Sequence, residues 1–137
     1  MSAFNKFDQF VEDLAKKVHS LSADQLKIAL TNVAPVAGNS VLADLTEISY
    51  TNLSSRNVTT TSAEQTSGLL KLILVDLVLT ASGAVGPFRY AVLYNDTPTS
   101  PADPLIGWYD YGSSISLANG ESFTVDFDAT NGALTLQ

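Results

Sequence analysis

His19 is the only histidine and the carboxylates number fourteen, so acid–base chemistry would have to be built from these groups; no cysteine is present to act as nucleophile or thiolate ligand. A Ser-His-Asp arrangement needs a serine held up for attack, and nothing resembling a Gly-x-Ser-x-Gly elbow occurs. His19 instead falls near the C-terminal end of an expected helix, where a partly cationic side chain suits the negative end of the helix dipole. Asp126 and Asp128, two residues apart on a strand, would share one face and could in principle take calcium or act as an acid–base pair. The run Asp126-x-Asp128-x-Thr130-Asn131-Gly132 misses a calcium loop, because the glycine comes one position late and no bidentate glutamate follows. Glycoside hydrolysis by Asp110, Asp126 or Asp128 would need a defined carboxylate separation of roughly 5–10 Å, and any acidic domain offers such pairs in sequence. These aspartates therefore read as a solvated strand face opposite Val125 and Phe127. No catalytic, cofactor-binding or metal-binding residue is assigned, and the expectation is a protein that is not an enzyme.

The residues better placed for function are aromatic. Tyr90, Tyr94, Trp108, Tyr109 and Tyr111 surround a proline-rich stretch. Rings with polar tips favour protein interfaces and also stack on sugars. With Phe7 and Phe10 they form the candidate protein-interface set, although alternation along strands would turn about half of them inward. Asn52-Leu53-Ser54, Asn57-Val58-Thr59 and Asn95-Asp96-Thr97 match the glycosylation pattern, but no secretory signal accompanies them and they read as chance matches. No phosphate loop or dinucleotide fingerprint is present.

The elements that must position these residues follow from hydrophobic periodicity. Phe7, Phe10, Val11, Leu14, Val18 and Leu21 recur at three- and four-residue spacing, which predicts an amphipathic helix ending near Ser20. Glu12 to Lys16 and Asp13 to Lys17 are acid-first pairs that would support its solvated face. Leu26, Ile28 and Leu30 alternate with Lys27, Ala29 and Thr31, as in a half-buried strand that Pro35 and Gly38-Asn39 bring to an end. Val41 to Ile48 could hold one helical turn behind a Ser40 cap. Arg56 to Thr61 reads as a polar strand, Leu69 to Thr80 as an apolar strand region broken at Val75-Asp76, and Phe88 to Tyr94 as a strand. Three prolines keep Asn95 to Pro104 out of any central strand. Ile106 to Tyr111 and Ser114 to Leu117 follow as short strands. Asn119-Gly120 signals a hairpin from Ile115-Ser116-Leu117 into Phe123-Thr124-Val125, and Asn131-Gly132 a second one before Leu134 and Leu136. Seven to nine short strands in 137 residues predict one mainly β domain, an antiparallel β-sandwich (25–137) with an N-terminal amphipathic helix (1–22).

Composition narrows the function classes. A chain of this size can bury roughly two-thirds of its unfolded surface, enough for a core without disulfide or metal. The net charge is −7, and beyond residue 28 three basic residues face ten acids. That balance is the opposite of the basic footprint that nucleic acid requires, so no nucleic-acid partner is expected. No run approaches the roughly 18 apolar residues of a membrane span, and the expected helix carries as many acids as bases on its polar face, so no membrane partner is expected either. The N-terminus shows no signal peptide, which predicts a protein that starts soluble inside the cell that makes it, and the absence of cysteine is consistent with a reducing cytoplasm.

The segments Gly86 to Asp96, Asp103 to Gly112 and Ala118 to Asp128, with Phe10 to His19 and Leu26 to Asn32, resemble small structural proteins of tailed bacteriophages and prophages. The resemblance covers nearly the whole chain and is closest to capsid cement, or decoration, proteins, some of which have a similar size and a jelly-roll fold. It implies a virion protein made in the host cytoplasm and carried on the outer capsid surface, with the major capsid protein and further copies of itself as partners, a homodimer being favoured over a trimer. The alternative is a fibre- or tail-associated module that recognises cell-surface carbohydrate through the aromatic residues.

Overall fold

Short runs of alternating apolar residues become ten strands and one α-helix in the computed structural model, which describes residues 3–137. In chain order these are β1 (Phe4–Lys6), α1 (Asp8–Ala15), β2 (Leu26–Thr31), β3 (Asn57–Val58), β4 (Thr60–Thr66), β5 (Leu69–Leu74), β6 (Leu77–Thr80), β7 (Val85–Asn95), β8 (Leu105–Leu117), β9 (Ser122–Val125) and β10 (Leu134–Leu136). A single 3-10 turn, Leu42–Asp44, lies between β2 and β3. The fold is mainly β, with antiparallel sheets and one helix, as the periodicity predicts. The sheets have orders β1-β8-β7-β2-β3, β10-β5-β4 and β6-β9.

Both faces of the five-stranded sheet are covered. Leu26, Ile28, Leu30, Ala91, Leu93 and Ile106 join Leu72, Leu74, Leu79, Val125 and Phe127 of the smaller sheets and their connections in the main core. Ala29, Val92, Tyr94 and Leu105 form a second cluster with Phe7, packed against Leu42, Leu45 and Trp108. Strand β2 is therefore not half-buried as expected: Ala29 and Thr31, on its supposedly polar face, are fully buried. Each large apolar side chain enclosed in this way contributes about 1.5–3 kcal/mol relative to exposure.

The N-terminal segment departs most from expectation. Residues Phe4–Lys6 are not helical but form an edge strand, with Phe4 opposite Tyr109 and Lys6 opposite Gly107. Phe7, in extended conformation, is the N-cap, and α1 stops at Ala15 rather than near Ser20. Its end is hydrogen-bonded in a doubled turn: Val18 N–H donates to Asp13 O at 2.9 Å and Lys17 N–H to Leu14 O at 3.4 Å, with Lys17 at φ 64°. This is the geometry in which glycine usually sits one residue past the cap. Lysine there hides the stop from a sequence reader. The left-handed turn also separates Lys17 from Asp13, which is buried, whereas Glu12 and Lys16 do pair at 3.2 Å. Lys17→Gly is expected to raise stability by about 0.5–1 kcal/mol, the relief of left-handed strain less glycine's greater chain entropy, read as a higher denaturant midpoint.

Other expectations were met in kind and altered in detail. The break at Val75-Asp76 separates β5 from β6, and Val75 N–H turns to Thr59 O at 2.9 Å. Ser40 does not cap the 3-10 turn by its side chain; Asp44 reaches back to accept from the Ser40 and Val41 N–H groups at 2.9 and 3.2 Å. The two short strands expected after Pro104 are one strand, β8, interrupted by a bulge between Asp110 and Ile115 where Gly112 takes φ 85°. The turns at Asn119-Gly120 and Asn131-Gly132 exist but close no hairpin. Strand β9 pairs with β6, Phe123 opposite Leu79, and β10 pairs with β5, Thr135 opposite Lys71. Both turns move the chain to a different sheet.

Candidate functional site

Alternation along β7 and β8 decides the fate of the aromatic set. Tyr90, Tyr94 and Tyr109 are buried, as are Phe7 and Phe10, so these five candidates pack inside the protomer instead of forming an exposed surface. Trp108 and Tyr111 remain partly exposed. The Trp108 ring lies over Phe7 with centroids 4.5 Å apart, and the Tyr111 ring meets Phe123 edge-on at 4.9 Å. Burial pushes the Tyr109 hydroxyl up to about 12, with the charges of Asp126, Asp128 and Asp76 adding to it, and raises Tyr111 for the same leading reason. The expected loop begins at residue 96, since Asn95 closes β7, and runs to 104, bridged only between Thr99 and Ala102 within itself.

The open apolar surface lies elsewhere. The edge strands β1 and β10 flank a groove of about 550 Å³, lined by Phe4, Phe10, Val11, Leu14, Leu134 and Leu136, with Lys6 at its side. Leu14, Leu134 and Leu136 also line an adjoining hollow of about 210 Å³ beside Leu21, Ala63 and Leu70. Val11 and Leu136, 53% and 52% exposed, are among the most exposed large apolar residues of the molecule, and both sit on this groove. Helix periodicity supplied Phe10, Val11 and Leu14. The rest could not be read locally, because the two walls are more than a hundred residues apart in sequence.

The carboxylates have structural partners. Asp128 accepts from Thr130 N–H at 2.9 Å and from the Asn131 N–H and side-chain amide at 2.8 and 3.0 Å, so Asn131 first of all holds its pKa below the usual range. It shapes the turn into β10. Asp126 follows the end of β9 and is exposed, so the two aspartates do not share a strand face. Asp110 is bound by Arg89 at 2.8 and 3.1 Å and accepts from Gly112 N–H at 2.8 Å, and these two contacts lower its pKa. Among the described residues no group of three potential ligands is gathered to hold a metal ion. No helix among them is long and apolar enough to cross a membrane.

His19 is a correction. The helix ends four residues before it, and the imidazole is buried instead of facing solvent at a helix terminus. It packs on Phe10 at 5.1 Å between ring centroids and meets the Asn95 amide at 3.0 Å through Nδ1. The same amide donates to Asp24 at 2.7 Å. Burial lowers the His19 pKa from 6.5, against the opposing charges of Asp13 and Asp24. No periodicity signals such a cluster, since its members come from a helix, a loop and the far end of a strand. Compared with known proteins, the chain matches no family model, no curated protein and no solved structure.

Proposed function

We propose that this protein is a structural virion component that binds the outer surface of an assembled phage capsid and stabilises it. The observation that carries the reading is the resemblance of Gly86 to Asp96, Asp103 to Gly112 and Ala118 to Asp128 to capsid cement proteins, with the jelly-roll type of sandwich belonging to the same resemblance. In the structure these segments supply most of β7 and β8, the turn after β8, and β9. The proposed partners are the major capsid protein and a second copy of the chain, and the proposed location is the capsid surface after synthesis in the host cytoplasm.

No chemistry is needed for this role. Each copy has to bind across a seam between capsid subunits, and repetition over a symmetric shell lets many modest contacts act together. The β1–β10 groove is the contact surface assigned to the capsid protein, since it presents Val11 and Leu136 beside an apolar floor. The helix offers less to self-association than its sequence promises, because Phe10 is turned into the core. Sedimentation at micromolar concentration checks the expected dimer, and a monomer throughout would refute it in solution.

Purified protein is expected to bind expanded heads that lack it and to raise the temperature at which they open, until sites saturate at a fixed number per capsid subunit. The double variant Val11→Glu, Leu136→Glu alters exposed positions, so its stability should stay within about 1 kcal/mol of the parent. Its head affinity is expected to fall about tenfold or more, the loss typical of a charge placed in a contact core. Retention on host glycans, with the protein found only at the tail of particles, would overturn the cement role in favour of a receptor-binding module.

A further inference from the structure

The buried polar cluster at the end of β7 has a defined protonation geometry. Thr97 N–H donates to Asn95 Oδ1 at 3.1 Å, which fixes the amide with its NH₂ group directed at Asp24 Oδ2, 2.7 Å away, and at His19 Nδ1, 3.0 Å away. An amide NH₂ can only donate, so Nδ1 must accept, and the single proton of a neutral imidazole then sits on Nε2. Among the described residues that Nε2 has no hydrogen-bond partner, and neither has Asp13 Oδ2, although both atoms are buried. Asp13 Oδ1 is occupied by the Gln9 amide at 3.1 Å. One orphan is a donor and the other an acceptor, and Asp13 is close enough for its charge to act on His19. Their complementarity favours the same tautomer that Asn95 imposes.

We propose that His19 is a proton-operated latch: neutral, with its proton on Nε2, it ties the segment between α1 and β2 to the end of β7, and a second proton on Nδ1 releases that segment. The added N–H would point at the Asn95 NH₂, setting donor against donor. Asn95 cannot escape by rotating its amide, because its oxygen would leave Thr97 N–H and face the Asp24 carboxylate. The groups facing the ring are Asp13 and Phe10 from α1, Asp24 from the turn before β2, and Asn95 from β7. The two carboxylates favour the imidazolium; burial opposes it and is the larger effect. A histidine whose folded pKa lies below its unfolded 6.5 contributes stability that is complete above that value and is lost as pH falls through the interval down to the folded pKa. Ser20 N–H also donates to Asp24 at 2.8 Å, so opening the cluster would loosen the backbone of the same segment.

With a single histidine in the chain, imidazole ¹⁵N resonances report this ring alone. In full-length protein the expected result is the Nε2–H tautomer at about pH 8, a titration midpoint below 6.5, and amide exchange in residues 16–25 that accelerates about tenfold or more, relative to intrinsic chemistry, as the ring takes its proton. Asn95→Asp places an acceptor at Nδ1 and is expected to move the proton there and raise the midpoint; should that variant not fold, the titration of the parent protein decides alone. An Nδ1–H tautomer at alkaline pH, a midpoint at or above 6.5, or exchange in residues 16–25 indifferent to the ring's charge would each overturn the latch.

Discussion

Phe7→Ala is expected to destabilise the protein by about 3–5 kcal/mol, a large part of the roughly 5–15 kcal/mol that holds a typical domain together. The Phe7 side chain is fully buried, packed with Ala29, Val92, Tyr94 and Leu105 beneath the Trp108 ring, and its N–H donates to Ile106 O at 3.2 Å. Removing the ring opens a cavity at the junction of β1, α1 and the sheet, where several elements would have to move together to refill it. Denaturant unfolding should show a lower midpoint with an unchanged slope. Parental stability combined with weakened association would instead return Phe7 to the interface role that its sequence pattern suggested. Trp108→Ala, at a partly exposed site over the same ring, should cost less than Phe7→Ala in the same measurement.

Gly107→Ala should also be damaging, although it adds only one methyl group. A Cβ at this position would overlap the Phe4 ring and lie 2.6 Å from the Asn5 carbonyl oxygen. The ring could swing aside, but the carbonyl belongs to the backbone of β1, so the strand itself must shift. Because β1 pairs with β8 alone, it has no second neighbour to hold it. A loss of about 1–3 kcal/mol is expected, with amide protection disappearing first from residues 4–6. Unchanged protection there would show that the close approach is dispensable.

What the sequence disclosed was local. The break at Val75-Asp76 and the loop through three prolines each depend on residues a few positions apart, and each was found; the helix and β2 were found as elements, the helix with different ends and β2 with both faces buried. Lys17 in a left-handed turn concealed the helix end, since glycine is the usual mark of that geometry. Phe4–Lys6 is too short to show a period and is a strand only because Gly107 lets it approach. Asn119-Gly120 and Asn131-Gly132 were recognisable as turns, but the strands that follow them pair with β6 and β5, far earlier in the chain, which no local pattern shows. The candidate aromatics were visible as residues and not as a surface. Five of the seven face inward, while the open groove is made by Val11 and Leu136, which no local pattern unites.

The pairing of Phe4 with Tyr109 also sets an order of events during synthesis. At about 5–20 residues per second, the first strand leaves the ribosome roughly 5–20 s before its partner exists. Until then Phe4, Phe7 and Phe10 have no complete site to enter, and the nascent chain carries three unburied aromatic rings. Strand β1 therefore cannot take its place in the sheet until the chain has been made at least as far as Tyr109.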